Sequence, residues 1–507
     1  MRFLGPSLLV LATIVVACDD SKAPKPPEPP PVTEVQLHAH FGRPGASIGL
    51  GASLIHSTRK APEMLAQIFG VAEPLVGMAD LLQPVDVLVL KVDGVEQRVT
   101  VLRPVPDAKG KLPEGYQAVE DGEAVLLRQG AETPCAVVKE HMVCAAGSPA
   151  FARLATAVRP YVDKWQQDHT DVVLDVTGAE LRGSVLSAVA ADLTVTRERL
   201  FERIVRGGTG AYGELLEPLK NLGIAGLGGL LTDVERVVVR VRLDPKGGRA
   251  DARIDWAPGG DSAARRGTEA LHGAATMASS LALLPDDVHV AVTDGAADPK
   301  TLGLATARLR KALRLHGGAE GAASLDALLE GMAPGYVGAE AWSEGEGVLI
   351  EIYRSRDAAV TKAAVAALSG EGLVAEPLPE GKAASLGELR VSVLALEHHL
   401  VFVSGGEKSV AYAKALPARE GGTPTAFAKG LGALPLGAAI DLPKLYRLDE
   451  PSSPLYLGYR VTEKGPDVLR SGASFQGEQN GLWMAARVIL LGRDPEPAPT
   501  AADGSVP

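Results

Sequence analysis

The sequence predicts an α+β fold: two tandem related units, each an antiparallel sheet of β-hairpins with packed helices. Three observations predict it. First, "HMVCAAGSPAFARLATAV" (141–158) lies over "HLVFVSGGEKSVAYAKAL" (399–416) without a gap, as a strand, a small-residue turn and an Ala-bearing helix. Second, strands come mostly as hairpins, with helices grouped between them rather than alternating strand by strand, which favours antiparallel sheets over βαβ units. Third, several further segments recur in the same order in both halves.

The hairpin "VDVLVLKVDGVEQRVTVLRP" (85–104) alternates apolar and polar residues around Asp93-Gly94. That dipeptide suits a type I′ turn, whose central residues need positive φ. Its counterpart is "VGAEAWSEGEGVLIEIYRS" (337–355), again two strands around a Gly-containing turn. Downstream, "VVLDVTGAELR" (from Val172) resembles "AAIDLPKLYRL" (from Ala438). Each is followed by an expected strand pair, "VERVVVRVRLDPKGGRADARIDW" in the first half and "SGASFQGEQNGLWMAARVIL" in the second. The units are placed at 35–260 and 283–492, joined by a helical connector over 261–282. The helix "RDAAVTKAAVAAL" has no partner in the first unit, where "PVPDAKGKLPEGY" reads as a loop.

Composition agrees with a folded body. Of 507 residues, 46% are hydrophobic and 22% charged, so a core can be buried. Aromatics are only 4%, which leaves the core to Val, Leu and Ala. A net charge of −11 argues against a general nucleic-acid binder, which needs cations to displace counterions from phosphates. Nothing after residue 18 is long and apolar enough to cross a bilayer as a helix.

The N-terminus reads "MRFLGPSLLVLATIVVACDD": Arg2, then an apolar run from Leu8 to Val16 of signal-peptide length, then Val15-Val16-Ala17-Cys18. This resembles the lipobox of bacterial lipoproteins, with Val15 where Leu is commoner. The resemblance covers the first 20 or so residues. It implies removal of residues 1–17, lipidation of Cys18, and membrane attachment through that lipid. In some enteric bacteria an Asp after the lipidated Cys favours inner-membrane retention, and Asp19 and Asp20 fit that pattern; either membrane, or the cell surface, stays open. Residues 18–34, with "APKPPEPPPV", read as a Pro-rich extended tether, and 493–507 as a disordered tail.

Several motifs invite chemistry. "GASIG" (45–49) matches G-x-S-x-G after the strand pattern "VQLHAHF", and would make Ser47 a nucleophile; its surroundings are Gly/Ala/Ser-rich, and no acid or His is singled out as its partner. "GTGAYG" (208–213) matches G-x-G-x-x-G but follows the helical pattern "RERLFERIVRG" rather than a strand. His38 and His40 share one strand face, a geometry that suits zinc or copper, yet no third ligand is visible nearby, and His398-His399 falls in the other unit. Exposed strand histidines are the expectation, with no metal and no cofactor. On "TLGLATARLRKALRLHGG", Arg308, Arg310, Lys311 and Arg314 oppose Leu302, Leu309 and Leu313; a solvated face on a core-packing helix is expected, with anionic lipid or an acidic partner as the alternative.

Cys135 and Cys144 flank Lys139-Glu140. A two-residue turn there sets the cysteines opposite one another at a non-hydrogen-bonded pair, close enough for a disulfide. The same positions in the second unit read Val393 and Phe402. A disulfide in an oxidising compartment is the favoured reading, with free buried thiols as the alternative. The function expected from all this is a lipid-anchored, extracytoplasmic envelope protein, a non-catalytic binding or scaffold module with a possible envelope protein as partner. The alternatives are an envelope serine hydrolase using Ser47 and a carrier of lipid or another hydrophobic ligand.

Overall fold

A computed structural model describes residues 33–45, 47, 61–106, 112–147, 150–165, 170–185, 231–244, 246–300, 303–316, 318–343, 346–367, 374–378, 381–386, 389–432 and 434–490. Cys18, the tether as far as residue 32, "GTGAYG" and the tail lie outside these residues, whereas Thr33 and Glu34, expected in the tether, already belong to the first strand. The first half runs β1 (Thr33–Phe41), α1 (Ala61–Phe69), β2 (Val85–Val92), β3 (Val95–Leu102), β4 (Tyr116–Asp121), β5 (Ala124–Gln129), β6 (Glu132–Val138) and β7 (His141–Ala145). It continues with α2 (Phe151–Val162), β8 (Val172–Thr177), β9 (Val234–Asp244) and β10 (Gly247–Trp256), followed by α3 (Ala263–Ala270). Next come β11 (Val288–Asp294), α4 (Leu304–His316), α5 (Gly318–Glu330), β12 (Met332–Ser343), β13 (Glu346–Ser355), α6 (Ala358–Ala367) and β14 (Val374–Leu378). The chain closes with β15 (Gly381–Leu386), β16 (Leu389–Ala395), β17 (His399–Gly405), α7 (Lys408–Ala415), β18 (Leu436–Asp441), β19 (Pro454–Lys464), β20 (Leu469–Glu478) and α8 (Gln479–Leu490).

All twenty strands join one antiparallel sheet. Their spatial order is β4-β5-β6-β7-β3-β2-β1-β8-β9-β10 and then β20-β19-β18-β11-β12-β13-β17-β16-β15-β14. Adding ten to each strand number of the first series gives the second in reverse. The two series meet where β10 pairs β20, from Gly247 opposite Glu478 to Trp256 opposite Leu469.

Helices cover both faces of the sheet, because successive side chains on a strand point to opposite sides and both sides here are apolar. In the first half α2 packs Phe151, Leu154 and Val158 against Leu88, Val99 and Val143. On the other face α1 packs Leu65 and Phe69 against Val87, Leu102 and Cys144. The second half repeats this layering, with Ala413 of α7 against Ile350 and Val401, and Leu309 and Leu325 of α4 and α5 against Tyr353 and Phe402. Leu309 and Leu313 of α4 are buried, while Lys311 and Arg314 are exposed; Leu302 lies outside the described residues. No helix among the described residues is long and apolar enough to cross a membrane.

The turns follow their residue chemistry. Asp93 and Gly94 both adopt positive φ, 51° and 84°, between β2 and β3. Lys139 also takes positive φ, and Val138 opposite His141 closes a two-residue hairpin. Cys135 then faces Cys144 and the two form a disulfide, with Cα atoms 4.0 Å apart. Val393 faces Phe402 in the second half.

One segment departs from expectation. "SGASFQGEQNGLWMAARVIL" is not a strand pair: its first eight residues finish β20, whose hairpin partner is β19, and the rest is the helix α8. The Gly-Glu-Gln-Asn-Gly stretch resembles a hairpin turn, but Trp483 and Met484 need burial on one helical side, against Leu442 and Leu455.

Candidate functional site

Among the described residues, one buried polar cluster grows from a single strand pair. β1 and β2 run antiparallel with His40 opposite Asp86 and His38 opposite Leu88. Residues two apart on a strand share a face, so the "HAH" spacing aims both imidazoles at the Asp86 carboxylate. His38 Nε2 lies 2.7 Å and His40 Nδ1 2.8 Å from the same oxygen, Asp86 Oδ1. The three residues are 2%, 1% and 1% exposed, so the expected exposed histidines are instead core residues. The α2 layer covers their side of the sheet, which periodicity within β1 alone does not report.

Protons in this cluster can be assigned by elimination. The Trp165 indole N–H, a donor with no acceptor capacity, lies 3.2 Å from His38 Nδ1. His38 Nδ1 therefore accepts, and Nε2 carries the hydrogen that Asp86 receives. His40 Nδ1 donates to the same carboxylate oxygen. Burial pushes the Asp86 pKa up, but the hydrogen bonds from His38 and His40 outweigh it and hold the group below its ordinary value.

Beside the cluster opens a groove of about 520 Å³, lined by Gln36, His38, Tyr161, Lys164, Asp175 and Arg236 among others. Asp175 accepts from Arg236 Nε at 2.6 Å and Nη2 at 2.5 Å, and from Lys164 at 3.3 Å. Burial raises the Asp175 pKa, and these two cations more than reverse it.

The other sequence candidates sit elsewhere. Ser47 is buried, and its hydroxyl donates to Asp171 Oδ1 at 3.5 Å; Asp171 also binds Arg43 at 2.9 Å and the Leu243 amide at 2.7 Å. His38 and His40 turn the ring nitrogens described above to Asp86, not to Ser47. His399 is buried and pairs with Glu420 at 3.2 Å, on a strand many places along the sheet from β1. Arg310 of α4 bonds Asp326 of α5 at 2.9 Å and so ties two helices together. The sequence reading missed Asp86 and Trp165. Asp86 left a trace, since it is the one acid of β2, set among Val85, Val87, Leu88 and Leu90 in a strand whose other charged residue is Lys91.

The second half holds a histidine of its own. His289 on β11 is fully buried and stacks on Trp342 with ring centroids 5.0 Å apart, while the Arg447 guanidinium lies 3.9 Å from the centroid of the Trp342 ring. Burial lowers its pKa to about 4 from an ordinary 6.5; a hydrogen bond with the Asp287 backbone opposes this, and Lys444 and Arg447 add to it. Between those values the unfolded chain binds a proton that the folded chain refuses. Stability is therefore expected to fall as pH drops from 6.5 toward 4, by about 3 kcal/mol from this residue at most. Denaturant unfolding at pH 7, 6 and 5 checks it: His289→Gln should flatten the decline, and an unchanged slope would reject the assignment.

No protein-family model matches the chain, and no curated protein does. Among solved structures, three crystal forms of TP0453 are similar to part of it. Form I gives a TM-score of 0.24 at 10% identity, covering 44% of this chain and 75% of that one. Form IV gives 0.25 at 8% identity, covering 44% and 77%. Form III gives 0.25 at 9% identity, covering 44% and 76%.

Proposed function

We propose that this chain is a lipid-anchored cell-envelope protein whose body, two tandem related units over 35–260 and 283–492, works as a non-catalytic binding or scaffold module. The observation that carries the two-unit reading is the strand order: ten strands in one sequence, then their counterparts in reverse, meeting at β10 and β20. Pairing of equivalent strands around such a seam sets like surfaces of both units side by side, an arrangement suited to a partner with two similar contacts. The connector over 261–282 contributes the helix α3 beside that seam.

Support for the anchor comes from Val15-Val16-Ala17-Cys18 and the Pro-rich stretch behind it. Several acyl chains, each CH₂ contributing roughly 0.8 kcal/mol, hold a protein at a bilayer where one chain does not. The Cys135–Cys144 disulfide accords with an oxidising compartment beyond the inner membrane. Expressed with its leader in a bacterium, the protein should fractionate with membranes and yield an N-terminal peptide bearing acylated Cys18. Cys18→Ser should abolish both. A Cys18→Ser chain that still fractionates with membranes, beside a wild type of unmodified mass, would overturn the anchor.

A further inference from the structure

We propose that His38, His40 and Asp86 form a binding site for one divalent transition-metal ion, with zinc the best-matched probe. Two imidazole nitrogens and a carboxylate oxygen, all within 4.8 Å of one another, converge from side chains that are at least 98% buried. Zinc favours this N/O donor set at about 2.0–2.2 Å and takes four donors in all. The present contacts of 2.7 and 2.8 Å are hydrogen bonds, so an ion must displace the bridging protons and spread the donors by about half an ångström. The neighbouring groove, which His38 lines, gives an entry path and room for water as a fourth ligand.

Comparison within the chain argues that the fold does not need this cluster; this step rests on the two-unit reading. Aligning "VVLD" (172–175) with "AAID" (438–441) matches His40, opposite Val173, to Ala291, opposite Ala439. Asp86, opposite His40, is then matched to Ala339, opposite Ala291. Ala291 and Ala339 are buried in an apolar core, at 0% and 3% exposure. The same strands in the same order thus close with two alanines. A buried carboxylate whose described hydrogen-bond partners are imidazoles costs stability that an apolar pair does not. At this register position the second half carries no carboxylate, although its buried His289 and Glu340 lie close by, 4.0 Å apart; a cation bound at Asp86 would compensate the cost.

Trp165 makes the site self-reporting. An ion on His38 Nε2 moves the ring hydrogen to Nδ1, which now accepts from the indole. Two donors would then face each other, so the indole must let go, and its fluorescence should change with occupancy.

The test uses the full-length protein in detergent, stripped with a chelator and titrated with zinc, then with cobalt for its visible absorption. Expected are one equivalent bound, a saturable change in tryptophan fluorescence, and affinity at least tenfold weaker in the His40→Ala/Asp86→Ala double variant. That variant copies the alanines of the second half and should keep a cooperative melting curve; Asp86→Asn provides the same test with less change of shape. Trp165→Phe should bind zinc at least as tightly while losing the fluorescence response. No saturable binding by wild type, or equal binding by both folded variants, would overturn the site. Membrane fractionation is read separately, so loss of the anchor and loss of the metal site cannot be confused.

Discussion

Glu351→Ala is expected to destabilise the protein by about 3–5 kcal/mol, the range for breaking a buried charged network by removing one partner. Glu351 is fully buried on β13, beneath the start of α4. Its carboxylate accepts the Ala305 and Thr306 amides at 2.7 and 3.1 Å, and the Tyr353 and Tyr336 hydroxyls at 3.3 and 3.5 Å. The first amides of a helix have no intrahelical partner and carry partial positive charge, so a carboxylate there satisfies both needs. Burial and the Glu351 charge both raise the pKa values of Tyr336 and Tyr353, which keeps their hydroxyls protonated as donors. Gly303 leads into this helix at φ 132°, where a Cβ would lie 2.2 Å from the Tyr353 hydroxyl. Alanine at 351 strands four donors and opens a void, whereas Glu351→Gln keeps one acceptor and should cost clearly less. Denaturant unfolding compares them; a loss below about 1 kcal/mol for alanine would refute the account.

Phe402→Ala is expected to cost about 3–5 kcal/mol as well, for a different reason. Phe402 is fully buried, meets Tyr353 edge to face with centroids 5.8 Å apart, and lies opposite Val393. Its removal leaves a cavity that strands on both sides cannot close. Phe402→Leu retains most of the volume and should cost less than about 1.5 kcal/mol. Equal losses for the two would show that packing is not what the ring supplies. In the first half Cys144 and its disulfide occupy the matching place. One half braces this strand pair covalently and the other by filling space.

Much of this arrangement was legible because it is local. Asp93-Gly94 demands positive φ whatever lies elsewhere, and the nine-residue spacing of the cysteines fixes their register once Lys139-Glu140 turns. The pairing of β10 with β20 joins residues more than two hundred positions apart, and no periodicity within either strand reports its partner. The site divides in the same way. "HAH" placed two imidazoles on one face, but Asp86 is 46 residues from His40 and Trp165 is 127 from His38, so only register and helix packing bring them together. Burial was misjudged for the same reason, since α2 comes from far along the chain. The start of α8 was misread because glycines and amides mark turns and helix entries alike, and only Trp483 and Met484 decide between them.

The seam between β10 and β20 has a consequence for how such a chain could arise. Ten residues of each strand lie in continuous antiparallel register, the way two separate copies of one protein meet about a twofold axis. On the two-unit reading, an ancestor of half this length would assemble by the same edge, and its assembly would depend on its concentration. Fusing the copies replaces that dependence with a fixed effective concentration. It also frees each copy to diverge, so that one carries His40 and Asp86 where the other carries alanines in a shared frame.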